Sequence, residues 1–339
     1  MRSPIIKTFY SDKQVLEIGG SSNYSKSPKK PKLLLEYLKS RNLIENFELT
    51  DAFEPYTDDD FEIAHDPSYV SEFFAGKGRC SSNSLSWSPQ FAESVRYTNA
   101  SLYSAIKNAV TNPSEVSFSP TSGFHHARPS GGSGFCTFSG QVIASLKIYR
   151  ELGLKGAYLD LDGHFGNSIE DSRYYCKDLN SAVPLDFNIN PVGTNEVYLA
   201  DLGRWLSRLK HAILEGKIDY VVWCHGADSH EHDQLGHQCS TEYWVGCSTL
   251  FWRWVKEMDQ ELGRPLPVAC ALFGGYRDDD YQSVLSLHTS DFVECFKELL
   301  GIDVKYTIEV LPRQKFGYYD DSTRLRSSRK RMDKKSKRR

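Results

Sequence analysis

The chain has 339 residues, 40% of them hydrophobic and 25% charged. A chain of this length buries on the order of three quarters of its unfolded surface, so it needs neither disulfides nor a structural metal for a stable core. It has no run of about 18 apolar residues, and the opening MRSPIIKTFYSDKQ lacks the apolar segment of a signal peptide. A soluble, unexported protein with no membrane partner is expected. Its eight cysteines include no CxxC pair, as suits reduced thiols of the cytoplasm or nucleus. The net charge of −3 conceals an asymmetry: the last sixteen residues, RLRSSRKRMDKKSKRR, hold ten Lys or Arg and one Asp, which leaves about −12 on residues 1–323. An acidic body favours cationic substrates. The basic end suits nucleic-acid contact and nuclear targeting, or equally a disordered, solubilising terminus from about 319.

Residues 1–114 show clear helical patterns only near 30–41 and 89–110. From 115 onward, short β-rich runs alternate with helical ones. Strands are predicted at 115–120, 156–162, 182–187, 218–226 and 267–276, and helices at 139–152, 168–176, 196–216, 241–262 and 280–300. This alternation predicts an α/β fold with a mainly parallel sheet and helices on both faces. No repeat, heptad run or long linker divides the chain, so a single domain over 1–318 is expected although the length would allow two. Ligands of open parallel sheets gather at the C-terminal strand ends, and the polar residue types of this sequence fall there.

The run LDLDGHFGN places Asp160, Asp162 and His164 at alternate positions of a strand end, on one face. HGADSHEHDQLG brings Asp228 to a second strand end. One imidazole and two carboxylates leave coordination positions open, which suits a catalytic divalent metal, Zn²⁺ or Fe²⁺. His125 and His126 are adjacent in the Gly-rich loop after 115–120, where both can reach one substrate for acid–base work at neutral pH. Tyr276 follows FGG at the end of 267–276, where a phenol can donate to a developing oxyanion. His225, His230, His232 and His237 around Asp228 are expected to be solvated loop histidines, not a second metal site.

GFHHARPSGGSGFCTF (123–138), YLDLDGHFGN (158–167), HGADSHEHDQLG (225–236) and FGGY (273–276), in this order, resemble the zinc-dependent histone deacetylase and acetylpolyamine amidohydrolase family of the arginase-like fold. The resemblance spans roughly 4–302 and is specific between 118 and 280. It implies Zn²⁺ held by Asp162, His164 and Asp228, with His125 and His126 as the acid–base pair and Tyr276 as oxyanion donor. It further implies that Asp160 orients His125, that Asn167 backs His126, and that Phe135, with Gly134 and Gly275, walls a narrow substrate channel. Phe165 stands where the family has a second His, and Ser139-Gly140 replace a paired Asn. The family's S-x-H and PGTG segment is not evident between His164 and Asp228. That leaves the second channel wall unassigned, with Phe187 or Tyr174 as replacements, and puts the family's structural K⁺ site in doubt.

The implied reaction is removal of an acetyl group from acetyl-lysine of a protein, in cytoplasm or nucleus. The same chemistry suits a small acetylated polyamine, whereas a silent binding module would be expected to lose some of these six residues. An arginase-type di-metal hydrolase would need more carboxylate and His ligands at the strand ends.

Overall fold

The computed structural model describes residues 2–16 and 25–313; the expected basic end and the boundary at 318 lie outside them. Seven strands, β1 (Ile6–Phe9), β2 (Phe47–Thr50), β3 (Val116–Ser119), β4 (Gly156–Asp160), β5 (Asn188–Ile189), β6 (Tyr220–His225) and β7 (Val268–Leu272), form one sheet in the order β2-β1-β3-β7-β6-β4-β5. Every pairing is parallel. The last strand in the sequence therefore sits in the middle, hydrogen-bonded on either side to β3 and β6.

The strands are buried on both faces, and side chains alternate between them. Tyr220, Val222 and Cys224 of β6 join one apolar cluster, whereas Val221 and Trp223 join the other. The first cluster lies under α3 (Pro67–Phe74), α4 (Pro89–Thr111) and α5 (Gly140–Leu152), with short turns α2 (Asp58–Glu62), α6 (Ser168–Ser172) and α7 (Leu179–Ala182) at its rim. The second lies under α1 (Lys30–Ser40), α8 (Asn195–Leu214), α9 (Thr241–Leu262) and α10 (Tyr281–Glu294). Local chemistry sets the helix ends. Ser88 caps α4 by accepting from Phe91 N, with Pro89 in the first turn, and Gly153 ends α5 in the left-handed conformation (φ 72°).

The predicted strand at 182–187 is not formed. A helical turn ends at Ala182, Pro184 has no N–H to offer a ladder, and Asp186 takes a positive φ of 73°, so pairing is confined to Asn188 and Ile189 at the sheet edge. The predicted helix 168–176 keeps only Ser168–Ser172. After α10 a π-helical segment (Cys295–Leu300) ends at Gly301 (φ 68°). Residues 302–310 then run extended, with Ile302, Val304, Tyr306, Ile308 and Val310 packed on the second cluster.

Two buried groups show how the frame holds the strand ends in place. Trp223 stacks on Phe251 (4.0 Å, 5°) and donates from Nε1 to Asp291 Oδ2 (2.8 Å). His65 Nδ1 meets Arg128 O at 2.9 Å while Nε2 accepts from Ser139 N (2.9 Å), which ties the middle of the loop after β3 to its far end. Replacing Trp223 by Ala is expected to cost about 3–5 kcal/mol in urea unfolding, since it removes a large buried ring and strands the Asp291 carboxylate. Burial lowers His65 to about 4. The unfolded imidazole takes up a proton below about 6.5 and the folded one only near 4, so stability is lost as pH falls across that window. About 3 kcal/mol of acid destabilisation is expected there, and the slope should flatten in His65→Gln when urea midpoints are compared from pH 7 to 4.

Candidate metal centre and active site

Four adjacent strands, β3, β7, β6 and β4, deliver the polar residues, and their neighbourhood in the sheet brings distant stretches of sequence together. Asp160 closes β4, and Asp162 and His164 follow it directly; Asp228 lies in the turn after β6. Ligand atoms of Asp162, His164 and Asp228 all lie within 4.8 Å of one another. His164 Nδ1 stands 3.0 Å from both Asp162 Oδ1 and Asp228 Oδ2. The outer lobes of the two carboxylates are held by backbone N–H groups, Gly274 to Asp162 Oδ2 (2.7 Å) and Gly163 to Asp228 Oδ1 (3.0 Å). A Cβ at residue 274 would lie 2.3 Å from the Asp228 carboxylate, so only Gly allows the β7 loop this close.

Burial and the neighbouring Asp162 push Asp228 up to about 8, while His125 and His164 outweigh burial at Asp162 and hold it well below the ordinary carboxylate range. Bonds to Asp162 and Asp228 raise His164 to about 10 against the effect of burial. Two buried carboxylates of which one is forced towards its neutral form make a site whose charge calls for a cation, and the O, O and N donors fit a divalent one.

The two loop histidines have different partners. His125 Nδ1 lies 2.9 Å from Asp160 Oδ2; burial lowers its proton affinity, but Asp162 and Asp160 prevail and raise it to about 9. His126 Nδ1 lies 2.8 Å from Asn167 Oδ1, and burial together with His125 lowers it to about 4. Asn167 Nδ2 donates to Asp171 Oδ2 (2.6 Å), which turns its carbonyl oxygen to His126. That oxygen only accepts, so Nδ1 of His126 carries the hydrogen and Nε2 is the basic nitrogen. The two rings stand 4.1 Å apart, and His126 lies 6.0 Å from His164. Gly134 permits this: a Cβ there would meet His126 Cδ2 at 2.6 Å. Burial holds the Tyr276 phenol protonated well above its ordinary range.

A cleft of about 230 Å³ is lined by His125, Gly134, Phe135, Asp162, Gly274 and Tyr276 among others. Phe135 and Tyr276 face each other at 5.6 Å, and Phe135 holds a left-handed φ of 64° to do so. Gly134 and Gly274 line this cleft, and a Cβ at Gly275 would meet Val284 (2.6 Å) and Ala227 (3.3 Å). The second wall is corrected. Neither Phe187, packed at the core margin, nor Tyr174, 81% exposed, borders the metal group. Asn190, Pro191, Val192 and Gly193 do, and with His164, Phe165 and Gln238 they line an open cavity of about 490 Å³.

Sequence reasoning missed Asp233 and Lys30. Asp233 accepts from Tyr276 N (2.6 Å) and Leu235 N (2.8 Å), joining the β6 and β7 loops. Lys30, fully buried, donates from Nζ to Phe273 O, and burial lowers it to about 8 against the pull of Asp228 and Asp162. In the sequence it is one lysine of SPKKPK at a helix start, where solvation is the ordinary fate. The loop histidines differ from expectation as well: His225 is buried and stacked on Trp244 (3.8 Å, 9°), and His230 is buried with Nε2 at 2.9 Å from Thr241 Oγ1. Neither belongs to the metal group.

The sequence model of the histone deacetylase domain matches residues 24–183. An uncharacterised protein of Picosynechococcus sp. is 26% identical over 231 residues, 63% of this chain and 74% of that protein. Histone deacetylase 10, chloroplastic, of Oryza sativa subsp. japonica is 27% identical over 189 residues, and Histone deacetylase 14, chloroplastic, of Arabidopsis thaliana is 29% identical over 136. The chain spans only 42% and 32% of the lengths of these two plant proteins. In fold it resembles the crystal structure of the HDA15 HD domain, with a TM-score of 0.65 and 14% identity over 90% of this chain and 91% of that one. The domain match and the histone deacetylase relatives support a histone deacetylase-family assignment, and the likeness to the HDA15 HD domain shows the shared fold.

Proposed function

We propose that the chain is a metal-dependent amide hydrolase that removes an acetyl group from an N-acetyl-lysine side chain of a protein. The family assignment supports a deacetylase in general. The observation that carries the finer reading is the pair His125 and His126, each anchored at Nδ1 to a different partner beside the group Asp162, His164 and Asp228. Those three residues would hold the ion, with Zn²⁺ the first choice and Fe²⁺ the second. When bound, it supplies a Lewis acid for the acetyl carbonyl and lowers the pKa of water.

The remaining work falls to side chains. His126 Nε2, neutral at physiological pH, takes the proton of the attacking water and returns it to the leaving amine. Asp160 fixes the ring of His125 and favours its protonated form, so that it faces the developing negative charge as a donor. Tyr276, its phenol still protonated, donates to the oxygen that was the carbonyl. Phe135 and Tyr276 exclude water from one side of the acyl-amine stem. Acetate and a free amine leave. The acidic body draws a cationic protein tail towards the site.

The test is acetate release by the Zn²⁺-loaded protein, with an acetyl-lysine peptide and N-acetylputrescine competing in one reaction. Faster release from the peptide is expected, and a clear preference for the polyamine defeats the protein-substrate reading. Asp228→Ala should lose both turnover and metal, dropping from about one ion per chain to nearly none by elemental analysis. His126→Ala should lower kcat by about 10²–10⁴ and keep its metal. Loss of the ion in that variant would show that His126 is a ligand. Tyr276→Phe should lower kcat by about 10²–10³ with KM little changed.

A further inference from the structure

The end of the described chain returns to its own catalytic edge. In the extended run after α10, Glu309 N donates to Ser286 Oγ (2.8 Å) and Leu311 N to Ser283 Oγ (3.0 Å). The chain thus climbs α10 backwards, towards the helix start that lies after β7. There Arg277 Nη1 donates to Leu311 O (3.0 Å), and Arg313 Nη1 lies 3.5 Å from Asp233 O. Asp233 is the residue whose carboxylate holds the backbone of Tyr276. The described chain therefore stops beside the loop that carries Tyr276, with 26 residues still to come in the sequence.

The edge reached in this way is acidic. Besides Asp162 and Asp228, the stretches after β4, β5 and β6 (161–172, 190–196 and 226–240) contain Glu170, Asp171, Glu196, Glu231 and Asp233 and no Lys or Arg. From outside these stretches Arg128 offsets Asp171 (3.2 Å) and Arg173 pairs with Glu170 (2.7 Å). The stretch after Tyr276 adds Asp278, Asp279 and Asp280, of which Asp279 is paired with Arg277. Glu196, Glu231 and Asp278 are exposed. The sequence after Arg313 is the most basic part of the chain, with ten Lys or Arg in 324–339. From Arg313 to Lys330 the backbone extends at most about 60 Å. A domain of this size has a radius of gyration of about 20 Å, so the lysines at 330, 334, 335 and 337 are all within tether length of the metal group.

We propose that this acidic edge is the docking surface of the chain's own segment 324–339, and that an acetyl group on Lys330, Lys334, Lys335 or Lys337 is removed by the same molecule. The proposal rests on the amide-hydrolase reading. The oxygen of water bonds to the acetyl carbon, the carbon–nitrogen bond breaks, acetate leaves, and the lysine amine keeps the proton.

The experiment uses the full chain with Nε-acetyl-lysine incorporated at position 334, prepared metal-free and started with Zn²⁺, alongside an unrelated acetyl-lysine peptide. Loss of the 334 acetyl group is followed by intact mass. First-order loss with a rate unchanged on tenfold dilution of the protein is expected, slowed about fivefold between 50 and 500 mM salt. The double variant Glu231→Lys and Asp278→Lys should slow that loss while peptide turnover stays as before. If the peptide is hydrolysed but the 334 acetyl group persists, or disappears at a rate proportional to protein concentration, docking in cis is wrong and the amide-hydrolase reading stands. If neither substrate is hydrolysed, the underlying reading fails and this inference with it.

Discussion

The structure depends on keeping four carboxylates, those of Asp160, Asp162, Asp228 and Asp233, at the end of a parallel sheet where each is 7% exposed or less. Burying a carboxylate without compensation costs several kcal/mol, so the surroundings of each are constrained. Compensation comes from two sources. Backbone N–H groups of Gly163, His164, Gly274, Tyr276, Leu235 and Gly236 point at the oxygens. Positive charge comes from His125 and His164 on the open side and from Lys30, buried behind Phe273. The loops after β4, β6 and β7 have little freedom left once these bonds are made. The glycines reflect the same constraint: a Cβ at 166 would lie 2.0 Å from Asp160 Oδ2 and one at 236 only 1.7 Å from Asp228 O.

This explains which parts of the molecule were legible in the sequence. Residue types that cannot be buried cheaply, placed directly after apolar β-rich runs, announce a site, and Asp160, Asp162, His164 and Asp228 were found that way. The helix Thr241–Leu262 was read to its true ends because its apolar period and terminal Gly263 agree. The strands Ile6–Phe9 and Phe47–Thr50 were not read, since four residues without neighbouring turn signals carry too little pattern. Lys30 escaped for a different reason. Its burial is decided by the Phe273 carbonyl and by carboxylates more than a hundred residues away in the sequence, and no local pattern encodes that. The predicted strand 182–187 failed because apolar spacing was weighed above Pro184, whose missing N–H decides the matter.

The two imidazoles show how one dipeptide acquires two proton affinities. His125 and His126 differ in neighbours, not in chemistry. A carboxylate beside Nδ1 favours the imidazolium of His125, whereas a neutral amide carbonyl at the same atom of His126 leaves burial and the adjacent ring to disfavour charge. The distinction is relayed outward, because Asn167 can present its oxygen to His126 only while Asp171 takes its amino group. A residue well removed from the reacting atoms therefore sets which nitrogen is basic.

The wall opposite Phe135 departs from the histone deacetylase pattern that the chain resembles, and the departure is coherent. Phe165, in place of a second His, points outward and is 61% exposed, so it was never available to support a ligand. The Asn190–Gly193 stretch is small and lies beyond a two-residue edge strand, so it leaves the face of His164 open where an aromatic wall would close it. On the proposed reading, the narrower cleft beside Tyr276 and the wider one beside His164 would suit a substrate whose acyl end is small and whose amine end is bulky. A lysine within a polypeptide has that shape. Within the proposed function, the asymmetry of the walls and the acidic edge both favour a polypeptide over a small polyamine as the substrate.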